Sequence, residues 1–93
     1  MVSNKEIAEL FDSMASLLEI KGDSIFKIRA YRRAARIIEQ LPTPLEQAIK
    51  DGVNLMSIPG IGKAISNKIE EMVSTGKVAT YERLKGELSP RNL

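Results

Sequence analysis

Apolar residues recur at three- and four-residue intervals along the first part of the chain: Ile7, Leu10, Phe11, Met14, Leu17 and Leu18. That spacing gathers them on one face of a helix, to be buried as core. Ser3-Asn4-Lys5-Glu6 fits a capping box, with Ser3 as N-cap and Glu6 reaching back, and Gly22 is a natural stop. A second helix, capped by Asp23 or Ser24, is predicted to run to about Gln40, ahead of Leu41-Pro42. At about 100° per residue, Ile28, Tyr31, Ala34, Ala35 and Ile38 share one of its faces. Arg29, Arg32, Arg33 and Arg36 fall in a narrow sector on the other. Lys27 sits among the apolar positions, one turn before Tyr31.

Beyond Pro42 the elements shorten. Thr43-Pro44-Leu45-Glu46 fits another capping box with proline at its favoured first helical position, opening a short helix that ends near Lys50. Asp51-Gly52 makes a turn, and Asn54 caps a brief helix over Leu55–Ser57. Ile58-Pro59-Gly60-Ile61-Gly62-Lys63 then reads as a tight turn between helices, because Pro59 ends the first and the glycines permit unusual φ and close approach. The helix leaving it, roughly Lys63–Ser74, buries Ile65, Ile69, Met72 and Val73, and Thr75-Gly76 closes it. Thr80 is expected to cap a last helix from Tyr81 to about Leu88. The pattern predicts an all-α fold: a compact bundle of four main helices over 1–88, with 89–93 (Ser-Pro-Arg-Asn-Leu) as a connector.

Composition narrows the chemistry. At 93 residues the chain is one domain that buries roughly 60–65% of its unfolded surface, leaving little room for an enclosed active site. It has no cysteine and no histidine, so disulfides, thiolate metal sites and the usual general base are excluded. No apolar run approaches the ~20 residues of a membrane span and no signal-peptide pattern opens the chain, so it reads as a cytoplasmic protein without a membrane partner. The net charge of +2 conceals a segregation. Acids dominate residues 1–23 (Glu6, Glu9, Asp12, Glu19 and Asp23 against Lys5 and Lys21), whereas Lys27, Lys50 and the arginine row dominate 24–50. Focused positive charge is what a polyanion-binding face looks like before folding.

The glycine turn is the candidate site. Amides at the start of the helix after it are unpaired, and the helix dipole favours an anion there. Lys63 adds a full positive charge, and together these make a phosphate seat; the plainer reading is a helix corner whose glycines serve packing alone. The arginine row is either a solvated face or a phosphate-binding ridge, and its lack of interleaved acids makes self-repulsion costly without a bound anion. Lys27 either snorkels to water or lines a pocket with Tyr31. Lys68 lies at the border of the apolar face near Met72 and Ala64. It either snorkels as well or is partly desolvated, which favours a neutral, nucleophilic amine.

The run from Ile58 through Pro59-Gly60-Ile61-Gly62 to Ser66 and Ile69 resembles the helix-hairpin-helix motif of DNA repair proteins and polymerases, which grips backbone phosphates without reading bases. Phe26-Lys27-Ile28-Arg29-Ala30-Tyr31-Arg32-Arg33-Ala34-Ala35, followed by that hairpin and Thr75-Gly76-Lys77, resembles the N-terminal domain of the family X, polymerase beta-like DNA polymerases, over about residues 4–88. The resemblance implies binding to the 5′-phosphate side of gapped or nicked DNA in base excision repair. It assigns DNA contacts to Lys27, Tyr31, Arg29, Arg32, Arg33, Arg36, Gly60, Gly62, Lys63 and Lys68. It also implies an alternative: a 5′-deoxyribose-phosphate (AP) lyase with Lys68 as the Schiff-base lysine. A monovalent cation, Na+ or K+, is implied on the carbonyls of Met56, Ile58 and Ile61, with Mg2+ needed only in a polymerase domain outside these residues. Ala64 and Thr80 stand where the family pattern has lysines, and Phe26 where it has histidine, which thins the charges around Lys68. The expected protein is a monomeric N-terminal piece of a nucleotidyltransferase, unable to polymerise alone and nucleoid-associated if prokaryotic.

Overall fold

The computed structural model describes residues 1–88; the connector expected at 89–93 lies outside them. Five α-helices follow one another: α1 (Asn4–Lys21), α2 (Ile25–Glu39), α3 (Leu45–Lys50), α4 (Lys63–Thr75) and α5 (Ala79–Leu88). A 3-10 turn, Leu55–Ser57, leads into the hairpin before α4. No strand occurs among the described residues, and no helix among them is long and apolar enough to cross a membrane. The four helices of ten residues or more form the expected bundle, with α3 as a short strut.

Most of the predicted stripes become the core, while Leu17, Met72 and Val73, expected to be buried, are only partly so at its edge. Ile7, Phe11, Met14 and Leu18 of α1 meet Ile28, Tyr31, Ala34, Ala35 and Ile38 of α2, and all are buried. Four alanines at this contact (Ala8, Ala15, Ala34 and Ala35) carry no bulk, so the two helices pack closely. Leu45, Leu55, Ile61, Ile65, Ile69, Val78 and Leu84 extend the same cluster from the shorter elements. Tyr31 sets its ring edge-on to Phe11, centroids 5.8 Å apart at 81°. That contact fixes the ring at the edge of the core.

Side-chain acceptors close most helix starts. Ser3 and Glu6 form the predicted capping box on α1, and Asn54 accepts from the Met56 amide. The other three predicted caps do not form. Ser24 takes the N-cap position of α2 but makes no side-chain cap bond, and Asp23 accepts only from the Ser24 amide. The Thr43–Glu46 capping box does not form: Pro44 takes the N-cap position, and the Leu45 amide donates instead to Asn4 Oδ1 at 2.8 Å. Asn4 also donates to the Thr43 carbonyl, while Glu46 accepts from the Val2 amide. The acceptor thus comes from α1, which no local motif can foresee. Nor does Thr80 cap α5, because the helix begins at Ala79, two residues before the expected Tyr81. The Ala79 amide donates to Glu71 of α4 at 2.8 Å, leaving Thr80 inside the first turn.

Candidate nucleic-acid interface

The hairpin is built by one short bond and one left-handed glycine. Ile61 donates its amide to the Ile58 carbonyl at 3.0 Å, and Ile61 itself is buried, which pins the turn to the core. Gly60 has φ +92°, and a Cβ there would run into Cδ1 of Ile37 and crowd Nε of Arg33 on α2. The left-handed backbone is what calls for glycine here, and the Ile37 methyl adds a contact that only a shift of that side chain would relieve. Gly62 is different: its backbone is extended (φ −87°, ψ −178°) and a Cβ there would meet nothing within 4 Å. Packing does not explain this second glycine. What its lack of a side chain provides is an unobstructed approach to the first turn of α4.

That turn opens into a cleft of about 530 Å³. Lys27, Ala30 and Tyr31 line it from α2, Gly60 and Gly62 from the hairpin, Lys63 and Lys68 from α4, and Thr80 and Arg83 from α5. Four of these side chains are cationic and none is acidic. By contrast, the shallower groove between α1 and α5 contains Asp12 beside Lys85, a mixed lining that suits no polyanion.

Two helix starts at this cleft lack the caps found elsewhere. Neither α2 nor α4 has a side-chain N-cap bond, and neither has an acid in its first turn. Each instead carries a lysine there, Lys27 and Lys63, at the end where the helix dipole disfavours cations. Lys27 is half-exposed and sits 3.7 Å from Asp23, whose carboxylate accepts from the Ser24 amide. That amide, with Lys27 and Lys21 nearby, holds the Asp23 carboxyl below its ordinary value. Lys68 is partly buried, with Nζ 5.9 Å from the centre of the Tyr31 ring, and has no carboxylate partner among the described residues. Lys27, Tyr31, Lys63 and Lys68, spread over forty-odd positions of sequence, are thus brought together.

The arginine row is not brought there as a unit. Arg33 approaches the hairpin at Gly60, whereas Arg29 and Arg36 stay exposed on the outer side of α2. Arg32 turns to α1, bonded to Ser16 and Glu19 and 3.6 Å from Asp12. The acids that relieve its charge come from the neighbouring helix, so the sequence of α2 alone could not show them. In the other direction, Arg83 lines the cleft and escaped sequence reasoning. It sits four residues before Glu87 and looks like one half of an ordinary helix-surface pair, which it also is. The signal that could have found it is its place one turn after Thr80.

Met56, Ile58 and Ile61 all belong to the hairpin turn, and their carbonyls are hard donors suited to Na+ or K+. The Ile58 carbonyl already accepts from Ile61 and keeps a second lone pair. No cluster of acidic metal ligands exists among the described residues. Phe26 is exposed in the first turn of α2 beside Lys27.

An uncapped helix start behind a Gly-x-Gly turn, opening on a cation-lined cleft, is the architecture of a helix-hairpin-helix unit. The chain belongs to the helix-hairpin-helix domain family, whose model matches residues 2–78. It is 36% identical over 84 residues, 90% of its length, to the DNA polymerase/3′-5′ exonuclease PolX of Bacillus subtilis (strain 168). It is 30% identical over 90 residues, 97% of its length, to DNA polymerase lambda of Arabidopsis thaliana. The matched regions are 14% and 16% of those two proteins. The chain is a helix-hairpin-helix domain of the family X polymerase kind.

Proposed function

We propose that the domain holds gapped or nicked DNA by its backbone and terminal 5′-phosphate, without reading bases. The observation that carries this reading is the cleft itself: two uncapped helix starts, each with a lysine, face a lining that has cations and no acid. Phosphate oxygens would accept from the open amides of α4 and pair with Lys27, Lys63 and Lys68. Arg33 lies beside the hairpin to meet the neighbouring backbone, with Arg29 and Arg36 further along α2. Na+ or K+ on the Met56, Ile58 and Ile61 carbonyls would stiffen the turn and add positive charge at the backbone. The parent protein would be a DNA polymerase whose Mg2+-dependent nucleotidyl transfer lies outside this domain, with one copy of the domain acting per break.

The test is an equilibrium titration with gapped duplexes bearing either 5′-phosphate or 5′-hydroxyl, repeated across salt concentrations. Affinity should fall steeply with salt, ignore base sequence and favour the phosphorylated end. A flat salt dependence would remove the reading.

One observation favours a second activity, 5′-deoxyribose-phosphate lyase: Lys68 stands in the cleft beside Tyr31 without a carboxylate partner. Its neutral amine would add to the C1′ aldehyde and lose water to give an imine. Removal of a C2′ proton then breaks the C3′–O bond, and hydrolysis of the imine returns the lysine. No acid or histidine lines the cleft to take that proton, which leaves Tyr31, a neighbouring amine or solvent as the acceptor. Borohydride trapping on a deoxyribose-phosphate end should give an adduct that Lys68→Ala abolishes. An adduct surviving that substitution would exclude this route.

A further inference from the structure

We propose that Arg83 completes the phosphate seat, turning from Glu87 to a terminal 5′-phosphate in the cleft and supplying the preference for that end. This rests on the DNA-binding reading above and deepens it. Lys27 reaches the cleft from α2, and Lys63 and Lys68 from α4; Arg83 is the cation that α5 contributes. It is also the one guanidinium in the lining.

That difference in chemistry matters. An ammonium is a compact charge that a bridging phosphodiester satisfies nearly as well as a terminal phosphate. A guanidinium donates in a planar fork and needs two free oxygens to be used fully. A terminal phosphate monoester offers three such oxygens and a charge approaching −2, so a fork in the cleft separates a strand end from continuous backbone.

The present partner of Arg83 is easily given up. Its Nη1 lies 3.3 Å from Glu87 in an i,i+4 pair, with both side chains well exposed. Such surface pairs are weak. Glu87 would not be left alone on release, because it also holds Lys21 of α1 at 3.1 Å. That Lys21 bond, with Arg83 adding to it, keeps the Glu87 carboxyl below its ordinary value and so charged. Turning Arg83 inward therefore exchanges one exposed carboxylate for a doubly charged phosphate. The uncharged Ala64 and Thr80 leave room for it in the same lining.

The experiment uses the whole chain, titrated by fluorescence anisotropy against one gapped duplex with 5′-phosphate and one with 5′-hydroxyl. Arg83→Ala should lower the phosphate preference about tenfold while leaving affinity for the 5′-hydroxyl gap within about twofold. Arg83→Lys should recover only part of the preference, and Glu87→Gln should keep or raise it. Circular dichroism reports the helix content of each variant, and Arg83→Lys decides the matter if the alanine variant loses helix. If the unsubstituted chain prefers the phosphate and Arg83→Ala or Arg83→Lys retains that preference in full, Arg83 has no such role and the DNA reading stands. If the unsubstituted chain shows no preference, the 5′-phosphate reading itself fails.

Discussion

The starts of α1 and α4 are treated in opposite ways. At α1 the Ser3 hydroxyl accepts from the Glu6 amide and the Glu6 carboxylate accepts from the Ser3 amide, so the helix end is closed on itself. At α4 the capping position is Gly62, nothing accepts from the first turn, and a lysine stands where a carboxylate would be favoured. A closed start adds stability and can bind nothing. An open one leaves donors unsatisfied and is completed by an anion from outside. The starts of α1, α3 and α5 receive a side-chain acceptor, from Ser3, Asn4 and Glu71 respectively, although α5 also lines the cleft with Thr80 and Arg83. The first turns of α2 and α4 receive none.

Substitutions can break this contrast in stages. The largest effect is expected for Gly60→Val, which forces a side chain into Ile37 and Arg33 at φ +92°. It should cost about 3 kcal/mol, lower Tm by roughly 10–20 °C and abolish DNA binding together with the turn. Next comes Gly62→Asp, which closes the α4 start without a clash. DNA affinity should fall roughly tenfold or more while stability stays level or rises by a few tenths of a kcal/mol. A variant that binds as tightly as before would show that the open amides are not used.

Ser3→Ala opens the closed start instead. It should cost about 1 kcal/mol in chemical denaturation and leave DNA affinity unchanged. The smallest effect concerns the far ends of α1 and α5, tied together by Lys21 and Glu87. The Glu87 carboxyl is held below its ordinary value chiefly by that bond. Its contribution is therefore present above the unfolded-state pKa and is lost as pH falls through the lower folded value. In Glu87→Gln the acid limb of a plot of Tm against pH should be slightly flatter, and no different at neutral pH beyond the lost pair.

The same contrast explains how far the chain could be read before its structure was known. Helical spacing gave α1, α2 and α4 to within a residue or two, because their buried faces repeat cleanly. Local caps such as Ser3 and Asn54 were legible, since acceptor and donor lie within three residues. Caps supplied from a distance were not: Asn4 serves α3 across 41 positions, and Glu71 serves α5 across eight. The cleft was half legible. Gly62 and Lys63 announce themselves in one short motif, but Arg83 joins them only because α5 folds back beside α4. Arg32 fails in the complementary way, its charge answered by Glu19 and Asp12 of another helix.

One consequence of the Tyr31 ring concerns how the molecule can be watched. The chain has no tryptophan and two tyrosines, so its near-ultraviolet signal is sparse and assignable. Tyr31 stands between the Phe11 ring and the ammonium of Lys68. An anion that draws Lys68 aside changes the electric field across that phenol while its packing against Phe11 stays fixed. Occupancy of the cleft should thus be readable from absorbance or emission of the unlabelled protein, with Tyr31→Phe as the blank.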